Sequence, residues 1–168
     1  MRGGDGADNF LGAEDLDYIL AGPGNDMVLA NGGTDVIAGN QGNDLLAGEH
    51  GDDIIAGGNG NDIIFGGDGE DKVYGGRHND TIDGGKDDDD LYGNWGDDYI
   101  NGKDGDDKVI GGPGSDTLHG GDGNDDITGG WGTDVLKGGE GQDVLNGTLG
   151  ADRIYGEGDD DILLGGRG

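Results

Sequence analysis

An all-β solenoid of stacked parallel coils is the fold class this sequence predicts, and three observations predict it. A nine-residue period runs from residue 3 to residue 164 without one insertion or deletion, giving eighteen blocks and a partial nineteenth at 165–168. Position 6 of the block is Asp in every copy, and position 8 is apolar in every copy, from Phe10 to Leu163. Gly fills position 1 except at Ala21 and Ala30, and position 4 except at Asp15, His78, Asp87 and Asp159. Such a period marks a repeat architecture in which each unit packs only on its neighbours.

Within a block, the first six residues read as a turn. Gly at positions 1 and 4 suits a backbone with left-handed or crowded dihedrals. The last three read as a short strand whose middle side chain points one way and whose neighbours point the other. One such block cannot bury its single apolar side chain alone, but stacked blocks can. Two blocks per coil give nine coils of eighteen residues, rising by about 4.8 Å each to roughly 43 Å. Asn-Gly pairs such as Asn59-Gly60 are hairpin signals, yet a constant phase over the whole array fits parallel stacking better. Helical repeats fail because each interior Gly costs a helix about 1 kcal/mol. The whole chain, 1–168, reads as one domain.

Composition alone points elsewhere. The chain has 168 residues with 45 Gly, 38 Asp or Glu and 9 Lys or Arg, for a net charge of −29, and Leu, Ile, Val and Phe make up only about a fifth. This is the profile of a disordered acidic polymer. It excludes an enzyme built on one large core and argues against nucleic acid as a partner, since the phosphates would be repelled. With no Cys there is no disulfide, thiolate site or cysteine nucleophile. No stretch approaches the length of an apolar membrane span, and the N-terminus lacks the apolar region of a signal peptide.

The block seen at 57–65 (GGNGNDIIF), 66–74 (GGDGEDKVY) and 120–128 (GGDGNDDIT) resembles the calcium-binding nonapeptide of the RTX (repeats-in-toxin, hemolysin-type) proteins, G-G-x-G-x-D-x-U-x. The resemblance covers residues 3–168. It implies a right-handed parallel β-roll with Ca²⁺ ions held between successive turns on each side. It also implies the ligands: the position-6 carboxylates of two stacked turns, with backbone carbonyls of positions 2 and 4 of one turn and 1 and 3 of the next. In this chain those carboxylates are Asp8, Asp17, Asp26, Asp35, Asp44, Asp53, Asp62, Asp71, Asp80, Asp89, Asp98, Asp107, Asp116, Asp125, Asp134, Asp143, Asp152 and Asp161. Carbonyl ligands are expected at Gly58, Gly60, Gly67, Gly69, Gly112, Gly114, Gly121, Gly123, Gly130, Gly132, Gly139 and Gly141. Asp62 should share ions with Asp44 and Asp80, and Asp71 with Asp53 and Asp89 on the opposite side. At most about 16 ions fit between full turns, and their charge would nearly cancel the −29. Calcium is a hard cation that takes six to eight oxygens, and so thin a core suggests that ion binding decides whether the chain folds.

Departures from the block carry their own expectations. Asp15, Asp87 and Asp159 at position 4 favour weakened or altered sites over additional carboxylate ligands. His50, His78 and His119 occupy unrelated positions with no H-E-x-x-H spacing, so they read as solvated surface rather than zinc ligands. Ser115 lies outside a G-x-S-x-G elbow, and Ile127 stands where an EF-hand beginning at Asp122 would need Gly. Acidic pairs such as Asp97 and Asp98 are already accounted for by the repeat, and catalysis by this chain is not expected. Trp95, Pro113 and Trp131 at position 3 read as a surface ladder or, alternatively, a sugar-stacking platform. An ice-binding surface would need a regular outward Thr ladder, which is missing.

Positions 7 and 9 of repeats two to seven are apolar throughout, among them Tyr18, Leu20, Met27, Leu29, Val36, Leu45, Ile54, Ile63 and Phe65. With position 8 turned inward, these outer faces expose enough apolar surface to suggest self-association or contact with an adjacent domain; plain β-propensity is the simpler reading. The expected function is calcium binding with calcium-dependent folding, as a structural module of an exported protein. The alternatives are the non-catalytic portion of a larger secreted protease, lipase, epimerase or adhesin, or a weak carbohydrate-binding surface. The resemblance implies bacterial-type secretion, although the capping segment and export signal that usually follow such repeats are lacking, so the chain reads as an excerpt or an engineered array.

Overall fold

The computed structural model describes all residues, 1–168. Each nonapeptide contributes one strand, from β1 (Asn9–Leu11) to β18 (Ile162–Leu164), and there is no helix. The odd-numbered strands form one nine-stranded sheet and the even-numbered strands the other, each in sequential order. Every pairing is parallel and offset by eighteen residues, as in Ile55↔Val73 and Ile64↔Ile82. A β-roll of about nine coils is therefore the architecture, with two nonapeptides per coil.

The strands are longer than the three residues the block suggests. β6 (Ile54–Asn59), β8 (Lys72–Arg77) and β10 (Asp90–Trp95) each run through positions 7–9 and on into positions 1–3 of the next block. The turn shrinks to positions 4–6. The reason is that the backbone at positions 1 to 3 pairs with the neighbouring coil, so its polar groups find partners that a free turn would lack.

Alternation then sorts the side chains. Position 8 faces inward and is fully buried in repeats two to sixteen, from Ile19 to Leu145, forming one continuous core with Phe10 and Ile154 packed at its ends. Leu163 in the last repeat stays half exposed. Position 1 also faces inward, where Ala21 and Ala30 are completely buried. Positions 7 and 9 face out. In later repeats the outer faces carry polar contacts, including a Lys72–Asp90 ion pair at 2.9 Å and Tyr74 stacked on Tyr92 at 5.0 Å.

Gly60 shows why position 4 is so restricted. Its φ is +131°, and a Cβ there would sit 1.9 Å from the carbonyl oxygen of Gly42 in the preceding coil. Asp87 holds the equivalent place with φ +71°, and His78 with +78°. Gly60→Ala should therefore lower the stability of the folded chain by more than the ~1–2 kcal/mol of left-handed strain alone, whereas Asp87→Gly should be neutral or stabilising by under about 1 kcal/mol. Urea unfolding of the two variants side by side checks this; a loss of the same size in both would refute it.

Candidate metal centre

The position-6 aspartates form two columns, one along each edge of the roll. Each turn places the carboxylate inward, and fourteen of the eighteen, from Asp26 to Asp143, are at most 3% exposed. One carboxylate oxygen has a fixed partner. Asp44 N–H donates to Asp62 Oδ1 at 2.8 Å, and Asp62 N–H donates to Asp80 Oδ1 at 2.8 Å. The opposite column repeats this through Asp53, Asp71 and Asp89. The bond recurs from Asp8 N–H at one end to Asp161 Oδ1 at the other.

The second oxygen has none. Oδ2 of every position-6 aspartate from Asp26 to Asp152 is buried without a hydrogen-bond partner. Leaving a buried acceptor unmade costs about 1–3 kcal/mol, and more for a charged one, so a column of them cannot persist as bare carboxylates. The oxygens point into the space within the turn. A Cβ on Gly57 would lie 2.3 Å from Asp62 Oδ2 and 2.7 Å from the carbonyl oxygen of Gly75, one coil on. Position 1 is thus Gly because a carboxylate and a carbonyl converge where its side chain would be. A hard cation fits that donor set: it satisfies the free oxygens, and its ligands are oxygens only.

Asp8 and Asp17 differ. Their Oδ2 atoms accept from the N–H of Gly4 and Ala13 within their own turns, at 2.9 and 2.8 Å. No earlier coil offers their Oδ1 an amide, and the carboxylate turns to its own backbone instead.

Burial, more than charge repulsion, sets the acidity of the columns. It pushes Asp53 and Asp62 up to about 6, Asp71 and Asp107 to about 7, and Asp80 and Asp89 to about 8. The amide bond to Oδ1 opposes this shift, and the neighbouring carboxylates in the column add to it. Without a cation, protons are the available counter-charge.

The other expected site residues fall as follows. Gly58 and Gly60 both have positive φ, and the carbonyls of positions 2 and 4 in the preceding coil lie beneath their Cα atoms. The carbonyl of position 3 is already engaged, as when Asn59 O accepts from Gly42 N–H at 2.8 Å. Asp87 and Asp159 retain left-handed backbones, whereas Asp15 does not, so the second repeat has an altered turn. His50 is exposed beside Asp68, at 3.5 Å, and His78 is exposed. His119 departs from expectation: it is half-buried against Tyr99 because position 9 of a mid-sheet strand is covered by its neighbours, and desolvation lowers its basicity. Of the outer apolar residues, Tyr18, Leu20, Met27, Leu45, Ile54, Ile63 and Phe65 are exposed, while Leu29 and Val36 are half-buried.

Sequence reasoning missed two features. Position 2 also needs a left-handed backbone, and Asn31, Asn40 and Asn94 adopt it with φ of 75°, 81° and 71°; the recurrence of Gly and Asn in that column was the available signal. The amide-to-Oδ1 ladder had no signal in composition at all.

Comparison with protein families finds the RTX calcium-binding nonapeptide repeat (4 copies) at residues 2–37, 29–64, 48–82, 57–91, 74–109, 101–136 and 137–168. The chain belongs to the RTX calcium-binding repeat family. No curated protein matches it significantly. Membership implies calcium binding, and the buried RTX aspartate stacks fit it. No helix is long and apolar enough to cross a membrane.

The raised acidities give a pH test. In the unfolded chain these carboxyls titrate near 3.8, and in the metal-free roll several titrate near 6 to 8. The folded state therefore binds protons more tightly, and this stabilisation is complete below about pH 4 and lost as pH rises through about 6 to 8. In chelator, the chain should gain β-structure on acidification from about pH 8.5 to about pH 4, followed by far-UV circular dichroism. A metal-free signal that is flat with pH, or that falls on acidification, contradicts the assignment.

Proposed function

We propose that this chain is a calcium-binding, calcium-folded structural module of an exported protein, and that it performs no catalysis itself. The observation that carries this reading is the unbroken column of buried Oδ2 atoms without partners from Asp26 to Asp152. No group of three or more His, Asp or Glu side chains converges on one point. An ion between turns would accordingly take its carboxylates from two stacked aspartates, such as Asp62 and Asp80, and its remaining oxygens from backbone. When bound, calcium supplies counter-charge and bridges successive coils. The chain's own part is to hold each carboxylate by its Oδ1, aim its Oδ2 inward, and keep position 1 free of a side chain.

The same geometry argues that the ceiling of about sixteen ions is not reached. Asp8 and Asp17 have spent Oδ2 on their own turns, and Ala21 and Ala30 place methyl groups where the other repeats have only hydrogen. In an exporting cell, low internal calcium would leave the acidic chain extended and external calcium would fold it. Affinities of ~10⁻⁴–10⁻³ M, those of extracellular modules, would suit this role.

Far-UV circular dichroism in EDTA and then in excess Ca²⁺ at neutral pH tests the reading. The expected result is a disordered spectrum converting cooperatively to β; a β-rich spectrum in EDTA overturns it. Calorimetric titration should count fewer than sixteen ions. Asp80→Asn, in the middle of a column, should weaken calcium-dependent folding more than Asp8→Asn at its end. Equal effects of the two substitutions would contradict the column as the site.

A further inference from the structure

The two turn edges of the roll share one backbone geometry and differ sharply in chemistry. The edge formed by the turns of even-numbered repeats is acidic at its centre, with Asp52, Asp68, Glu70, Asp88, Asp104 and Asp106 at positions 3 and 5. On the opposite edge, positions 3 to 5 carry only two acids, Asp5 and Asp97. In a chain of net charge −29, one edge is thus almost free of negative charge outside the buried aspartate column.

That edge also carries both tryptophans of the chain. Trp95 ends β10, Pro113 ends β12 (Lys108–Pro113), and Trp131 lies in β14 (Asp126–Gly132). Pro113 pairs with Trp131 in register, and Trp131 with Leu149 one coil further. Backbone bonds from Gly96 N–H to Pro113 O at 3.2 Å and from Gly114 N–H to Trp131 O at 2.8 Å fix the ladder. Trp95 is 63% exposed and Trp131 65%. Tryptophan is usually among the well-buried residues, so two such indoles on a rigid edge need a reason. Beside them stand the exposed Asn79, Asp97, Ser115 and Thr133 at position 5, with Ser115 N–H donating to Asp97 Oδ1 at 2.8 Å. A shallow cavity of about 310 Å³ opens between Trp95, Arg77 and His78.

We propose that this edge binds an uncharged oligosaccharide laid along the roll axis, with sugar rings stacked on Trp95 and Trp131. The two indoles are two coils apart, about 9.6 Å at the strand spacing, which is about the length of a disaccharide. A chain of pyranose rings can therefore place alternate apolar faces on the two tryptophans, with Pro113 as a flat spacer between them. Hydroxyls of Ser115 and Thr133 and the amide of Asn79 match a ligand made of hydroxyl groups. Around the indoles the turn positions carry one Arg, Arg77, and one acid, Asp97, so the edge has no cluster of either sign to draw polyanions or cations. A protein partner fits less well, because two indoles and a proline fall far short of the roughly 800 Å² that each side of a stable interface buries.

The test uses the calcium-loaded full chain, with folding verified by circular dichroism. Cellohexaose, chitohexaose and mannohexaose serve as probes, read by calorimetry and by tryptophan fluorescence, which reports on this edge alone because the chain has two Trp. At least one hexaose should bind with a dissociation constant of about 1 mM or tighter, and its monosaccharide at least about tenfold more weakly. Trp95→Ala and Trp131→Ala should each weaken binding by up to about tenfold, the loss of one aromatic contact, with spectrum and calcium titration unchanged. A folded chain that binds none of the three hexaoses overturns the proposal, as does binding that survives the double substitution. Failure to fold with calcium is a separate result that bears on the calcium reading.

Discussion

One constraint organises this molecule: on each turn from Asp26 to Asp152 a carboxylate is taken out of water with only one of its two oxygens provided for. The first oxygen is held by an amide of the adjacent coil, which fixes where the second must point. Everything else follows from giving that second oxygen room and a counter-charge. Position 1 loses its side chain, positions 2 and 4 adopt left-handed backbones, and the turn narrows to three residues. The hydrophobic core is slight, one position-8 side chain per coil from each of the two sheets, and the polar columns run along its two flanks.

The outside of the roll is freed from that constraint. Core, turn glycines and aspartates are set by the repeat, while positions 3, 5, 7 and 9 vary from coil to coil. The chain uses this latitude unevenly: apolar outer faces in the early coils, ion pairs and stacked tyrosines in the middle, one acidic turn edge and one nearly neutral edge with indoles. A repeat scaffold of this kind separates folding from recognition, because residues that contact other molecules can change without touching those that hold the coils together.

Much of the fold was legible in the sequence because the period is strict. An aspartate column and an apolar column in constant phase demand parallel stacking, and the register Ile55↔Val73 is the one that phase requires. The stacking of Asp62 between Asp44 and Asp80 was legible in the same way. Strand length was not, since Gly-rich positions 1 to 3 read as turn until their pairing with the next coil is considered. The division of labour between the two carboxylate oxygens was also hidden, because a sequence names an Asp without saying which oxygen its neighbour's amide will claim. The differing carboxylates of Asp8 and Asp17 were invisible for a related reason: they depend on what lies beside a coil rather than on what is in it, whereas the altered turn at Asp15 was signalled by the missing glycine at position 4.

The amide-to-carboxylate ladder always runs the same way, from the backbone of an earlier coil to the side chain of a later one. The roll is therefore a polar filament, in the sense that its two ends are chemically unlike. Wherever it is parted, the N-terminal piece is left with a bare amide on its last coil and the C-terminal piece with an unclaimed carboxylate on its first. Coils added toward the C-terminus satisfy the amides already in place, so a chain released N-terminus first could build the roll by capping each coil with the next, whereas one released in the opposite sense would lay down each carboxylate before the amide that holds its Oδ1.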